Sequence, residues 1–165
     1  MKIISNASPL IFLAKIGKLD LLENYEIIIP KQVHEEIIKG KKIGRDDSYK
    51  IESLIEKNKI KVDGTKINKE IDKLNLGEGE KATISLGIKK KVNIILLDER
   101  KARRVAKFYK LKYKLKPRGT IGILLEAHKN KKISKEEIKE LLQKLIKEGY
   151  RISEELIIGL LKEIK

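Results

Sequence analysis

The sequence predicts a three-layer α/β/α fold with a mainly parallel central sheet. Short apolar runs alternate with segments of helical periodicity, which is typical of parallel βαβ units. One of these runs is apolar nearly throughout, as expected for a strand that is buried on both faces. With 165 residues, of which 41% are hydrophobic, the chain can bury a real core. We expect one domain over residues 1–165, with an α/β core at 1–130 and a C-terminal helical hairpin at 131–165.

Five segments have the composition of strands. Residues 2–5 and 27–29 are rich in isoleucine, and residues 92–97 form the clearest strand in the chain. Residues 60–62 are a marginal strand, and residues 111–115 are the last one. Because helical segments separate these strands, the sheet is expected to be parallel.

The helical segments are bounded by residues that open or close helices. Pro9 and Pro30 stand where they can open a helix, and Gly17 and Gly40 are expected to end those two helices. Further helices are expected at residues 18–24, 49–57, 99–109 and 119–127, and from the glycines near residue 77 to about residue 88.

Two amphipathic helices end the chain. Ser134 and Glu137 form a capping box for the first, Gly149 is its expected C-cap, and Ser153 caps the second. The apolar side of the last helix consists of Leu156, Leu160, Leu161 and Ile164, broadened by Ile157 and Ile158. We expect this pair to cover the core or to form a dimer face. It does not resemble a DNA-reading helix-turn-helix, because its second helix lacks side chains that reach bases.

Basic residues dominate the charge. The chain has 39 Lys and Arg against 24 Asp and Glu, a net charge of +15. Such an excess attracts polyanions, of which nucleic acid is the commonest inside cells. A lysine-rich, heat-adapted source is the alternative explanation. Aromatic residues make up only 4%, which argues against RNA recognition by base stacking.

Several other classes are excluded or disfavoured. The absence of cysteine excludes disulfides, thiolate nucleophiles and cysteine-based zinc sites. His34 begins a zinc-protease-like sequence that lacks the second histidine, and neither a P-loop nor a nucleophile elbow occurs. No segment has the length and hydrophobicity of a membrane span, and the apolar N-terminus has no signal-peptide cleavage site. We therefore expect a cytoplasmic protein without a membrane partner.

Oxygen-bearing side chains follow the predicted strands at the edge where parallel sheets form their sites. They are Ser5 and Asn6, Glu35 and Glu36, Glu78 and Glu80, and Asp98 and Glu99. Such a set suits a hard cation such as Mg²⁺ or Mn²⁺, which activates water for attack on a phosphodiester. Taken singly, an acid in the first turn of a helix is equally explained by the helix dipole.

Four segments, in order, resemble a PIN-domain protein: residues 5–11 (SNASPLI), 30–37 (PKQVHEEI), 76–80 (LGEGE) and 97–106 (LDERKARRVA). Residues 119–122 (GTIG) and 151–153 (RIS) are similar to a branch of small prokaryotic PIN-like proteins. The resemblance covers nearly the whole chain. It implies a Mg²⁺- or Mn²⁺-dependent ribonuclease that cleaves single-stranded RNA. Many such relatives are toxins held by a cognate antitoxin protein, and many are homodimers.

By this resemblance the acids of the family fall on Glu36, Glu80 and Asp98, with Glu99 beside the last. Asn6 stands where the first acid of the family is expected, and its oxygen can bind a cation without contributing charge. The resemblance thus implies Asp98, Glu80, Glu36 and Glu99 as metal ligands, and Asp98, Glu80, Glu36 and Asn6 as the catalytic set. Ser5, Ser8 and Thr120 lie in the matching segments and are expected to support them. Asn6 is equally explained as a turn residue that bonds nearby backbone.

Two basic clusters are candidates for nucleic-acid binding. Arg100, Arg103, Arg104 and Lys107 share one helix face, which is expected to run away from the acidic residues. This face suits a phosphate backbone, although a solvated outer face explains it equally well. Lys41, Lys42 and Arg45, next to Lys39, form the second cluster on a loop that is expected to reach the same sheet edge.

Three functions follow from the sequence. The first is a metal-dependent endoribonuclease, as a toxin of a toxin–antitoxin pair. The second is a catalytically impaired relative that binds nucleic acid or protein, because Asn6 replaces an acid. The third is an interaction module that acts through its terminal helices.

Overall fold

The structure of the protein is a computed structural model that describes residues 1–164. Its strands are β1 (Lys2–Ser5), β2 (Glu26–Pro30), β3 (Ile60–Asp63), β4 (Ile94–Leu96) and β5 (Lys116–Arg118). In the described residues they form a five-stranded sheet of order β3-β2-β1-β4-β5, with every neighbouring pair parallel. The predicted parallel sheet is therefore confirmed.

Helices cover both faces of this sheet. They are α1 (Ala7–Lys15), α2 (Lys31–Lys42), α3 (Asp46–Glu56), α4 (Lys69–Asp72), α5 (Glu78–Lys90), α6 (Arg100–Phe108), α7 (Lys110–Tyr113), α8 (Thr120–Lys129), α9 (Lys135–Lys147) and α10 (Glu154–Glu163), with a 3-10 helix at Leu19–Leu22. The three-layer α/β/α fold predicted from the sequence is confirmed.

Alternate residues of the strands face two separate cores. Ile3 and Ile27 pack into one core with residues of α1, α2, α3, α8, α9 and α10, whereas Ile4 and Ile28 pack into the other with residues of α4, α5 and α6. Both sides of each central strand are thus removed from water. This is why the inner residues of β1, β2 and β4 are apolar instead of alternating with polar residues.

The strand predicted at residues 111–115 is wrong. Helix α7 occupies Lys110–Tyr113, and the chain enters the sheet only at Lys116. Strand β5 contains Pro117, which cannot donate a backbone hydrogen bond. It is tolerated because β5 is an edge strand with a neighbour on one side only.

The helix predicted to end at Gly40 continues to Lys42. Gly40 is buried, and a Cβ at this position would collide with the side chain of Ser48 in α3. The glycine therefore permits close packing of α2 on α3. The chain turns later, at Gly44, whose φ of +80° lies in the left-handed region that glycine adopts easily.

The last helix faces the core less fully than its sequence predicts. Leu160 and Ile164 are buried, but Leu156 and Leu161 are 50% and 45% exposed. Lys165, the last residue of the predicted helical hairpin, lies outside the described residues. Within residues 1–164, no helix combines the length and apolar character that a bilayer crossing requires.

The order of the strands creates a switch point between β1 and β4. The chain runs outward from β1 through β2 to β3, and then returns to the other side of β1 to form β4 and β5. The connections that leave β1 and β4 therefore diverge to opposite halves of the sheet. In open parallel sheets, a crevice that binds ligands forms at such a point, beyond the carboxyl ends of the strands.

Candidate active site

A cleft of about 740 Å³ opens at this switch point. Most of the side chains that line it are polar or charged, namely Asn6, Ser8, Gln32, Glu35, Glu36, Lys39, Glu78, Glu80, Asp98, Glu99, Tyr150 and Arg151. Phe12, Gly77, Gly79 and Gly149 complete the lining. The acids predicted from distant segments of the sequence thus share one cleft. Ser5 and Thr120 lie behind its wall, where both are fully buried.

Asn6 presents an unpaired oxygen to the cleft. The residue is only 7% exposed, and its Oδ1 has no hydrogen-bond partner in the described residues. Its backbone N–H donates to the carbonyl of Leu96 at 3.0 Å, which fixes the residue to the end of β4. Because Oδ1 caps no backbone group, the explanation of Asn6 as a turn-stabilising residue does not describe this side chain.

Gly79 allows two oxygens to converge. A Cβ on Gly79 would lie 2.9 Å from Asn6 Oδ1 and 3.5 Å from Glu36 Oε2. Both oxygens therefore point at nearly the same position in the cleft, in space that any larger residue would fill. This closeness requires a glycine because a Cβ contact below 3.0 Å would force the neighbouring atoms apart.

Glu36 and Glu80 affect each other. Glu36 is exposed as a residue, but neighbouring protein atoms withdraw its carboxyl from part of the solvent. This burial raises the pKa of Glu36 and the negative charge of Glu80 raises it further, while Arg45 and Lys39 oppose both effects. Glu80 is held at the start of α5, where its Oε2 accepts a hydrogen bond of 2.9 Å from the Gly77 N–H.

Asp98 is saturated with hydrogen bonds. Its Oδ1 accepts from the Thr120 N–H at 2.7 Å and the Tyr150 hydroxyl at 2.9 Å. Its Oδ2 accepts from the Ser8 hydroxyl at 3.0 Å and the Thr120 hydroxyl at 2.7 Å. The carboxylate therefore joins the start of α1, the start of α8 and the connection between α9 and α10. Ser8 and Thr120 contact Asp98 directly, whereas the Ser5 hydroxyl donates to the Asn6 carbonyl at 2.8 Å.

The cleft suits a hard cation in chemistry but is not arranged as a closed set of ligands. Asn6 Oδ1 and Glu36 Oε2 lie 2.9 Å and 3.5 Å from the position of a Cβ on Gly79. Burial first, and then the charge of Glu80, raise the pKa of Glu36, and a cation in the cleft would offset both effects. Among the described residues, however, no three His, Cys, Asp or Glu side chains stand close enough together to hold a metal ion. Asp98 lines the same cleft, but its two oxygens already accept four hydrogen bonds. Glu99 also lines the cleft and is exposed.

A second cavity of about 770 Å³ adjoins the first. The two share Asp98, Glu99, Tyr150 and Arg151 in their walls. The four cations of α6 line the second cavity: Arg100, Arg103, Arg104 and Lys107. Its opposite wall is apolar and includes Ile146, Leu156 and Ile157. The expectation that the basic face of α6 runs away from the acids is thus wrong, because this face borders a groove that leads to them. We call it the basic groove.

The second basic cluster, Lys41, Lys42 and Arg45, does not line either cavity, and Lys41 and Lys42 lie in α2 and not on a loop. Arg45 pairs with Asp47 at 3.2 Å, and Lys41 lies 4.0 Å from Glu56. Lys42 is exposed, away from both cavities. In this part of the chain, Lys39 is the cation that reaches the cleft.

Tyr150 and Gln32 are site residues that the sequence did not indicate. Burial raises the pKa of the Tyr150 phenol, and the charge of Asp98 and the hydrogen bond to it raise it further, so the phenol stays a donor. Its ring packs edge-on against Phe12, with centroids 4.9 Å apart. The available signal was position, because Tyr150 directly precedes the matching segment 151–153. Gln32, whose Oε1 has no partner in the described residues, lies within the matching segment 30–37, so its position was a signal as well.

A comparison with protein families agrees with this architecture. A family model described as a PIN domain matches residues 2–165. Among solved structures, the chain is similar to a domain of a functionally unknown protein from Methanocaldococcus jannaschii DSM 2661. The identity is 22% and the TM-score 0.45, over 72% of this chain and 89% of the other. No curated protein matches the chain.

Proposed function

The chain belongs to the PIN-domain family, and from this premise we propose that it is a metal-dependent nuclease that cleaves single-stranded RNA. The family implies a nuclease-type function in general. The observation that carries the specific proposal is the convergence of Asn6 Oδ1 and Glu36 Oε2 over Gly79, in a cleft that also contains Glu80 and Asp98.

The cation is Mg²⁺ or Mn²⁺, since all the available ligands are oxygens. The residues that would hold such a cation are Asn6, Glu36, Glu80, Asp98 and Glu99, which all line the cleft. When bound, such a cation activates water and neutralises charge on the phosphodiester. The contribution of the chain is to hold these oxygens in a partly buried cleft, where Ser8 and Thr120 orient Asp98.

The basic groove holds the RNA strand. Arg100, Arg104 and Lys107 are exposed along one side of α6, and the groove that they line shares a wall with the acidic cleft. Contacts of this type attract phosphates without reading sequence. A strand that lies in the groove therefore passes the acids, where its backbone is cut.

PIN domains often bind RNA and pair with antitoxin proteins, and we extend both partners to this chain as the toxin of such a pair. A protein partner suits the exposed apolar side chains of the two last helices. These are Ile146, Leu156, Ile158 and Leu161, each between 45% and 56% exposed. A second copy of the chain fits the same face.

A catalytically impaired nucleic-acid- or protein-binding module is the second candidate. Two observations favour it: Asn6 brings no charge, and Asp98 already accepts four hydrogen bonds. Titration calorimetry with Mn²⁺ separates the two candidates. Binding that is lost in Glu36→Gln supports the nuclease, whereas RNA binding without any binding of Mn²⁺ supports the module.

Cleavage of a labelled single-stranded RNA in the presence of Mn²⁺ tests the nuclease directly. We expect Asp98→Asn and Glu36→Gln to abolish cleavage. Glu36→Gln is the cleaner variant, because Asp98 also joins three parts of the fold. Glu35→Gln is the matched control, since Glu35 is the adjacent residue of α2, lines the same cleft and has the same charge. Equal loss in Glu35→Gln, or cleavage by wild type that does not depend on a metal, would contradict the proposal.

A further inference from the structure

Asp98 has no free acceptor site in this conformation. A carboxylate offers about four lone-pair positions. Two hydrogen bonds reach each of its oxygens, from the Thr120 N–H and Tyr150 on Oδ1, and from Ser8 and the Thr120 hydroxyl on Oδ2. A cation that binds Asp98 directly must therefore displace one of these donors.

The donors differ in how firmly the fold holds them. Thr120 begins α8 and is fully buried, so that both of its groups are fixed. Ser8 lies in the first turn of α1, which β1 and the core position. Tyr150 instead belongs to the connection between α9 and α10, which has no regular secondary structure. Its backbone N–H donates to the Leu145 carbonyl at 2.9 Å, so the connection is tied to the end of α9 on one side. The preceding Gly149 is exposed, has a φ of +91° and has no neighbour within 4 Å of where a Cβ would be.

Tyr150 also stands at the boundary between the two cavities. Its side chain lines both the acidic cleft and the basic groove, as do Asp98 and Arg151. The hydroxyl of Tyr150 thus donates to Asp98 from a segment without regular secondary structure. The same residue forms part of the wall of both cavities.

We propose that Tyr150 is a positioning residue that competes with the divalent cation for Asp98. In the metal-free protein it holds Asp98 Oδ1 and fastens the α9–α10 connection to the sheet edge. When the cation takes this acceptor site, the hydroxyl leaves and the connection is released. The inference rests on the proposed function in one respect, namely that Asp98 is a ligand of the cation.

The competition has a consequence for the groove. Because linkage is reciprocal, the factor by which the attachment of Tyr150 weakens cation binding equals the factor by which a bound cation weakens that attachment. Ile152 and Leu156 follow Tyr150 in the chain and line the basic groove. Cation binding therefore loosens one wall of the groove in which the strand lies, so that loading of the cleft and access to the groove are coupled.

Titration calorimetry with Mn²⁺ on wild type, Tyr150→Phe and Ser8→Ala tests this inference. Phenylalanine keeps the edge-on contact with Phe12 and removes only the competing hydroxyl. We expect Tyr150→Phe to bind Mn²⁺ about tenfold more tightly, the effect of a hydrogen bond worth about 1.4 kcal/mol. Ser8→Ala frees an acceptor position on the other oxygen, Oδ2, and is expected to tighten the binding of Mn²⁺ less than Tyr150→Phe does, because Oδ1 is the acceptor that the cation takes.

Amide hydrogen exchange gives a second readout. In wild type we expect exchange at residues 149–153 to rise when Mn²⁺ is added. In Tyr150→Phe it is already fast without Mn²⁺, and in Asp98→Asn it does not respond to Mn²⁺. If the role of Tyr150 were purely structural, Tyr150→Phe would speed exchange at residues 149–153 but would not tighten the binding of Mn²⁺.

The results separate this inference from the proposed function. If wild type binds Mn²⁺ and Tyr150→Phe binds it equally or more weakly, the competition is refuted while the metal site stands. If Ser8→Ala tightens the binding of Mn²⁺ as much as Tyr150→Phe or more, the inference is refuted as well, because Ser8 would then be the displaced donor. If neither wild type nor Tyr150→Phe binds Mn²⁺, both proposals fail.

Discussion

Asn6 Oδ1 lies 2.9 Å from the position that a Cβ on Gly79 would occupy. Gly79→Ala therefore pushes the Asn6 oxygen away from Glu36, and we expect the affinity for Mn²⁺ to fall about tenfold or more. Calorimetry measures this change.

Gly159→Ala is the matched control, because Gly159 lies within α10 and has no neighbour within 4 Å of where a Cβ would be. It is expected to stabilise the protein by about 0.5–1 kcal/mol, the usual gain for this change inside a helix, and to leave Mn²⁺ binding unchanged. Unchanged Mn²⁺ affinity in Gly79→Ala would show that the convergence over Gly79 does not form the cation site.

Asn6→Asp restores the charge that the family pattern leads one to expect. We expect about tenfold tighter binding of Mn²⁺, since affinity for hard cations rises with the charge of the ligands. Without a cation, the new carboxylate is buried beside Glu36 and lacks a donor, which costs roughly 1–3 kcal/mol of stability. Thermal unfolding in EDTA and in Mn²⁺ measures both effects.

Asn130→Asp, at the exposed C-cap of α8, adds the same charge away from the cleft and should leave Mn²⁺ binding unchanged. Because negative charge is unfavourable at a helix C-terminus, it should cost about 0.3–1 kcal/mol of stability, equally in EDTA and in Mn²⁺. If Asn6→Asp is as stable as wild type in EDTA and binds Mn²⁺ no better, Asn6 does not face the cation.

The raised pKa of Glu36 makes stability depend on pH. Burial and the charge of Glu80 raise this pKa above its ordinary value of 4.5, so the folded protein holds the proton more tightly than the unfolded chain. Between the two pKa values the free energy of unfolding therefore falls as pH rises, and the loss is complete above the folded pKa. In metal-free buffer, Glu36→Gln should raise the melting temperature at pH 7 and leave it unchanged well below pH 4.5. A melting temperature of Glu36→Gln that is lower than that of wild type at pH 7 would contradict this prediction.

The exposed cations of the basic groove should determine how RNA binding depends on salt. Replacing Arg100, Arg104 and Lys107 by Ala removes three phosphate contacts. The slope of log K against log salt should then become shallower by about 2, from roughly 0.7 per contact for single strands. Fluorescence anisotropy at several salt concentrations measures the slope. Lys41→Ala with Lys42→Ala is the comparison, since neither lysine lines a cavity, and an equal effect there would place the strand elsewhere.

The parallel sheet could be predicted because its strands are buried on both faces. An apolar, β-branched run such as residues 27–29 is typical of a strand that is buried on both faces. The helices that connect such strands then make their directions parallel. The error at residues 111–115 arose where the sheet ends. Strand β5 has a neighbour on one side only, and its proline makes the segment appear unsuited to a strand.

That the acidic residues share one cleft could also be predicted, because the carboxyl ends of parallel strands meet at one edge. The internal arrangement of the cleft could not. That Asp98 accepts four hydrogen bonds while Asn6 Oδ1 accepts none depends on the packing of α8 and of the α9–α10 connection. Tyr150 and Asp98 are 52 positions apart in the chain, and no local sequence pattern specifies a contact between residues so distant.

The four hydrogen bonds of Asp98 have an evolutionary consequence. A carboxylate that joins three parts of the fold is under selection for folding, whether or not the chain still cuts RNA. A descendant that lost its chemistry would keep this aspartate while Glu36, which is exposed and has a raised pKa, drifted freely. In a survey of paralogues, we thus expect Glu36 of α2, and not Asp98 after β4, to be the residue that differs between active and inactive proteins.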